Sequence, residues 1–439
     1  MENCCFPESW LNDFKILGSA RASLAWNGRS QVRMSVSPIR SAASGPGLPS
    51  ANPFERLAAL IEGVPPGAEP IVMTIGEPRH PIPAFTGDIL AANLADFSRY
   101  PNIRGTDDFR AAVSGWLDTR YGLGGTLDSA RGVLPLNGSR EGLTFAALGA
   151  RDYLAKSTER PAVLMPNPFY QTYAAAAHVA GAEAVYLDAG AETGFLPDLD
   201  ALSPALLERT IAFIYASPAN PQGAVADLAT WTKLIDLARK HRFFIIADEC
   251  YSEIYRETPP PGVLEAAHAT GDGFANVISL NSLSKRSNLA GLRCGFAAGD
   301  PEFLASWSRF RGLAAPQVPM PLQAVAAAAY RDEAHVAENR RLYNEKYASA
   351  ERILGSLFSD VVPEGGFFLW LDVARWGGGS AVAKRLWAEA GVKVLPGDVL
   401  SVDAGSGNPG ADFIRLALVD DLATVETGLT RVRSVLGGS

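Results

Sequence analysis

The chain has 439 residues, 47% hydrophobic and 20% charged, with a formal net charge of −8. That length supports two or more domains and a large core, and the acidic balance argues against nucleic acid as the main partner, because phosphate binding needs a basic face. No run of about 18 apolar residues is present to span a membrane, and the four cysteines and five histidines show no metal-site or disulfide-framework spacing, so the cysteines read as reduced thiols of a cytosolic protein.

Residues 1–51 predict a flexible N-terminal extension: they lack a secretory apolar region, and from Met34 onward they are rich in Ser, Pro, Gly and Ala. Met34 is a candidate for the true start of translation. In NPFERLAALIEG, the spacing of Phe54, Leu57, Leu60 and Ile61 predicts a helix opened by Pro53 and closed by Gly63. IVMTIGEP reads as a short strand ending in a turn, and DILAANLADF and TDDFRAAVSGWLDTRYG as helices. Short apolar runs follow: PAVLMP, AEAVYL, TIAFIYAS, FFIIAD, NVISLNSL and RCGFAAG. Between most of them lie helical segments such as SREGLTFAALGARDYL and ADLATWTKLIDLARKH. This alternation predicts an α/β fold, a mainly parallel sheet with helices on both faces. Toward the C-terminus, RDEAHVAENRRLYNEKYASAERILGSLF predicts a long charged helix, and GFFLWLDV, VAKRLWAEAG, VKVLPGDVL and FIRLALVDD a smaller α+β unit. The expected division is a large domain at 80–325 and a small domain made of 52–79 and 326–439.

Several short patterns carry chemistry, each with a plainer alternative. Ser282-Leu-Ser-Lys285 matches S-x-x-K, but the companion S-D-N and K-T-G patterns of serine enzymes are absent. Residues 405–410, GSGNPG, match G-x-G-x-x-G, yet Pro409 interrupts them and a strand-like run follows, which predicts a loop. Asn137 to Gly142 sit where a loop enters a helix, either an anion site or a capping turn. Asp248 ends an apolar strand, where α/β sheets bind ligands, or else caps a helix.

Taken in chain order these form one set: the turn at Gly138, Ser139 and Arg140; Tyr170 after NPF; Asn220 in SPANPQG; Asp248 and Tyr251 in ADECY; Ser282, Lys285 and Arg293 in SLSKRSNLAGLRCG. Pyridoxal phosphate asks for such a set. It needs a lysine for the aldehyde, a carboxylate for the ring nitrogen, donors for the phenolic oxygen, an aromatic plate, and N–H groups with a cation for the phosphate.

SPANPQG, ADECY and SLSKRSNLAGLRCG together make the chain resemble the class I/II aminotransferases of fold type I, over about residues 52–435. The resemblance implies a pyridoxal phosphate-dependent enzyme acting on small amino and oxo acids, as a homodimer with shared sites. It implies that Lys285 binds the cofactor aldehyde and shuttles the proton, Asp248 pairs with the ring nitrogen, Asn220 and Tyr251 donate to the phenolic oxygen, and Tyr170 stacks on the ring. Backbone N–H groups of Ser139 and Arg140, beside Gly138, with Ser282 and Arg293, would hold the phosphate. Arg415, in FIRLAL, would bind the substrate α-carboxylate, Gly76 would let the backbone approach the substrate, and Tyr100 would reach the neighbouring subunit's phosphate. IGEPRHP, PNPFYQTY, NRRLYNEKY and GNPG before IRLALV are further similar to N-succinyldiaminopimelate aminotransferases of bacterial lysine biosynthesis, implying that donor and 2-oxoglutarate as acceptor. The alternative within the family is another class I/II aminotransferase with an aspartate or acetylornithine-like donor. Arg79, His80, Arg99 and Arg104 are candidates to read a succinyl carboxylate. Two alternatives keep part of the pattern, a β-elimination lyase and a transcription regulator with an aminotransferase-like domain. The latter asks for a DNA-binding module, and the N-terminal residues show neither a helix-turn-helix nor a basic stripe.

Overall fold

The computed structural model describes residues 52–438, so the expected flexible extension and the Met34 start lie outside the described residues. The strands are β1 (Ile71–Val72), β2 (Val133–Leu136), β3 (Ala162–Asn167), β4 (Glu183–Asp188), β5 (Thr210–Ala216), β6 (Phe244–Asp248), β7 (Val277–Ser282), β8 (Gly295–Gly299), β9 (Phe368–Asp372), β10 (Val392–Lys393), β11 (Leu395–Pro396) and β12 (Phe413–Ala417). Seven of them form one sheet in the order β2-β8-β7-β6-β5-β3-β4. β3 to β7 pair in parallel, while β8 runs antiparallel to both β2 and β7.

Each apolar run between 161 and 299 became one of these strands. All but β4, a half-buried strand at the sheet edge, are buried on both faces, as a helix-covered sheet requires. Alternate side chains of β5 and β6 serve different cores. Phe213, Tyr215 and Ile245 pack with Trp231 and Leu234 on one face. Ile214 and Ile246 pack with Leu143, Ala146 and Ala150 of the helix Ser139–Leu154 on the other. Burying each large aliphatic or aromatic side chain here contributes about 1.5–3 kcal/mol.

β2 was not foreseen. Its centre is Pro135, which reads against a strand, but β2 is a sheet edge, where a missing N–H costs no ladder bond. Two expected helices are also interrupted. The helix over 88–97 is a helix at Thr86–Ala92 and a 3-10 turn at Leu94–Ser98, separated by Asn93, whose side-chain amide donates to Ile89 O (2.8 Å). The long charged helix runs only over Ala334–Leu354. Asp332 is extended at its start and its carboxylate accepts from the N–H groups of Ala334 and His335, ending the previous helix, Met320–Arg331.

The C-terminal strands build a second, three-stranded antiparallel sheet, β11-β12-β9, and β10 pairs in parallel with β1. β12 puts Arg415 opposite Trp370 of β9 and Leu395 of β11. The GSGNPG stretch is a loop, as expected, with the N–H groups of Gly405 and Gly407 donating to Asp403 Oδ1 (2.8 and 3.1 Å).

Candidate active site

The carboxyl ends of β6 and β7 open on a cavity of about 530 Å³ that also receives Arg415 from β12 and Gly76 from the segment after β1. Asp248 is the last residue of β6 and is 8% exposed. Its Oδ2 accepts from Tyr173 Oη (2.8 Å) and its Oδ1 from the Cys250 N–H (3.4 Å). No cation pairs with it directly among the described residues, and burial raises its pKa above the usual carboxylate range. Strand alternation sends the next residue, Glu249, away from the cavity, where Oε1 accepts from Val263 N (2.7 Å) and Oε2 from Ser279 Oγ.

Lys285 lies on a one-turn helix, Leu283–Arg286, directly after β7. Its ammonium donates to Gly76 O and sits 5.2 Å from the Phe367 ring centre. Desolvation, with smaller contributions from Arg415 and Arg140 against those of Cys250 and Glu77, brings its pKa down to about 8. Gly76 has no room for a side chain, because a Cβ there would lie 2.5 Å from Phe368 Cζ.

Arg415 is 6% exposed and pairs with no carboxylate among the described residues. Nη1 donates to Asn220 Oδ1 (3.1 Å), Nη2 to Thr74 O (2.9 Å), and Nε is buried with no partner. The guanidinium lies 4.2 Å from the Phe368 ring centre, and burial lowers its pKa to about 10. Tyr251 packs edge-on against Phe367 and Phe368, and desolvation pushes its phenol well above the ordinary range.

The helix Ser139–Leu154 begins at the same cavity. Gly138 precedes it at φ +85° and supplies no side-chain cap, so its first N–H groups are open to an anion. Arg293 stands beside this turn, donating to Asn137 O (3.1 Å) and Ala290 O (2.9 Å). A Cβ on Gly138 would lie 2.3 Å from its Nη2. Ser282 Oγ is within 2.9 Å of Ser284 Oγ, and both serines line the cavity. Tyr170 accepts from Arg140 Nε (2.6 Å) and stands nearly perpendicular to Tyr173.

These residues fit pyridoxal phosphate: a buried carboxylate without a cation, an uncapped helix start beside an arginine, and a desolvated lysine share one cavity. The model of the aminotransferase class I and II family matches residues 69–432. The chain belongs to this family. Its members use pyridoxal phosphate. The chain is 31% identical over 376 residues to an LL-diaminopimelate aminotransferase of Moorella thermoacetica, covering 84% of this chain and 92% of that one. A crystal structure of an aminotransferase from Neisseria meningitidis superposes with a TM-score of 0.83 at 39% identity, covering 88% of this chain and 98% of that chain. A probable N-succinyldiaminopimelate aminotransferase from Thermus thermophilus does so with a TM-score of 0.75 at 28% identity, covering 88% of this chain and all of that chain.

Among the residues expected from the sequence, the cavity gathers Gly76, Ser139, Arg140, Tyr170, Asn220, Asp248, Tyr251, Ser282, Lys285, Arg293 and Arg415, with Gly138 shaping its anion turn. Tyr100 is not among them; it is fully exposed. The four candidates for a succinyl carboxylate do not line the cavity either. Arg79 pairs with Asp420, Arg99 with Asp96, Arg104 binds the carbonyls of Ala130 and Arg131, and His80 joins Asn339 and Lys346. Arg286, next to the central lysine, points away: it is 1% exposed, paired with Glu333 and placed 5.2 Å from both the Trp116 and Tyr330 rings. The sequence reading missed Tyr173, Glu77 and Ser284. Tyr173 had a signal, since it lies three residues after Tyr170 at the start of one helix.

Proposed function

We propose that this aminotransferase moves the amino group of N-succinyl-LL-2,6-diaminopimelate to 2-oxoglutarate, giving N-succinyl-2-amino-6-oxopimelate and glutamate. The observation that carries the amino-acid chemistry is Arg415. A buried guanidinium with an orphaned Nε and no carboxylate, in the cavity that holds Lys285, is suited to a bidentate grip on the α-carboxylate shared by amino and oxo acids. The donor class is supported by the motif resemblance and by the names of the relatives from Moorella and Thermus.

When bound, pyridoxal phosphate supplies an aldehyde for the amine and a ring that withdraws electrons from the α-carbon. In this reading Lys285 carries that aldehyde between turnovers. Asp248, held by Tyr173 and the Cys250 N–H, keeps the ring nitrogen protonated. Asn220 and Tyr251 donate to the phenolic oxygen, and Tyr170 covers the ring. The N–H groups of Ser139 and Arg140, with Ser282 and Arg293, take the phosphate. Arg415 fixes the donor's carboxylate, and released Lys285 Nζ, in its neutral form, accepts the α-proton and redelivers it. Tyr100 belongs to the site of a second copy in a homodimer.

The relatives named for LL-diaminopimelate favour a second reading, with the unsuccinylated diamine as donor. A coupled assay of glutamate formation from 2-oxoglutarate separates these. The donors compared are N-succinyl-LL-diaminopimelate, LL-diaminopimelate, acetylornithine, succinylornithine and aspartate. The proposal expects the highest kcat/KM with the succinylated diaminopimelate; a higher value with any other donor overturns it. Pyruvate and ammonia in place of glutamate would indicate elimination.

A further inference from the structure

Behind the cavity wall a chain of polar side chains reaches the backbone of Lys285. Asn339 Nδ2 donates to the carbonyls of Lys285 (3.2 Å) and Arg286 (3.4 Å). Asn339 Oδ1 lies 2.7 Å from His80 Nδ1, and His80 Nε2 lies 2.6 Å from Lys346 Nζ. Asn339 and Lys346 are 3% and 2% exposed on the helix Ala334–Leu354. Seven residues apart, they share one face, with Tyr343 between them packed against His80 (ring centres 4.4 Å apart, planes inclined by 45°).

We infer that Asn339, oriented by His80 and Lys346, is a positioning residue that fixes the backbone carrying the cofactor lysine. The inference rests on Lys285 holding that role, but not on the identity of the donor. The directions of the bonds follow from chemistry. Carbonyls only accept, so the Asn339 amide nitrogen faces them and its Oδ1 faces His80. His80 Nδ1 must then carry the proton, which leaves Nε2 a lone pair for the Lys346 ammonium. A second proton on His80 would set two cations in contact. The charged groups around this pair are Glu338 beside His80 and Asp420 and Asp421 beside Lys346, with Arg79 paired to Asp420. Burial lowers both His80 and Lys346, consistent with one ammonium facing a neutral ring.

The helix Leu283–Arg286 has one turn, so its last carbonyls have no partner within it. Asn339 supplies one. Lys285 Nζ leaves and returns once in every catalytic cycle, and a fixed backbone returns it to the same point. Asn339, His80 and Lys346 do not line the cavity, so loosening them changes the rate of proton transfer and not the fit of substrate.

The test is the rate of amino transfer to the holoenzyme from L-glutamate, or from L-aspartate should the wild type be inert to glutamate. Asn339→Leu and His80→Leu should lower the maximal rate about tenfold, with half-saturation changed less than about twofold and the cofactor's visible absorbance retained. His80→Gln, which keeps one donor and one acceptor, should recover the rate to within about twofold of wild type. Wild-type rates in Asn339→Leu, or equal losses in His80→Gln and His80→Leu, overturn the inference. Should Asn339→Leu fail to fold, the two variants of partly exposed His80 decide it.

Discussion

A lysine that must trade protons near neutrality cannot keep its ordinary pKa, and the surroundings of Lys285 lower it to about 8. In the proposed mechanism the neutral amine is the base, so the rate of α-proton removal should rise with pH and level off above about 8, read as single-turnover absorbance changes. Lys285→Ala should abolish both turnover and the lysine-bound cofactor absorbance; a variant keeping either contradicts its assignment. Arg415→Lys replaces a planar fork by a point charge. Both amino donors and oxo acids should then show KM raised about tenfold to a hundredfold, the worth of one or two charged hydrogen bonds. Lys285, Asp248 and Arg415 were legible as candidates because each stands in a distinctive string. Arg286 was not legible, because its partners Glu333, Trp116 and Tyr330 come from remote segments and only folding shows that its charge is buried.

At the scale of elements, the anion turn depends on Gly138. A side chain there meets both a left-handed φ and the Arg293 guanidinium, itself tied to Asn137 O and Ala290 O. Gly138→Ala should destabilise the protein by about 1–3 kcal/mol, seen as a lower unfolding temperature of the apoprotein, and weaken pyridoxal phosphate binding in a fluorescence titration. An unchanged affinity would place the phosphate elsewhere. The strands of the parallel sheet were readable because burial on both faces leaves an unbroken apolar run. β2 was hidden by Pro135, whose tolerance comes from an edge position fixed by the whole sheet. The breaks at Asn93 and Asp332 were hidden too, since a side chain that competes for backbone bonds leaves the hydrophobic spacing around it intact.

For the whole molecule, the proposed dimer makes a prediction that one subunit alone cannot satisfy. Tyr100 is fully exposed and Leu313 is 94% exposed, large side chains that solvent does not favour. If Tyr100 serves the other copy's site, Lys285→Ala and Tyr100→Ala chains should complement each other. Unfolding and refolding a mixture should restore activity above that of either variant, through hybrids with one intact site; no gain would remove Tyr100 from the shared site.

Arg415 bonds Asn220 and Thr74, residues contributed much earlier in the chain. The groups assigned to the cofactor are complete once Arg293 has been made, whereas the proposed carboxylate grip waits for β12, close to the C-terminus. Contacts of such long sequence separation form late and slowly. If Arg415 grips substrate as proposed, a nascent or truncated chain ending before β12 lacks that grip whatever its hold on cofactor, so competence for the reaction is conferred last, by a strand that also completes the second sheet.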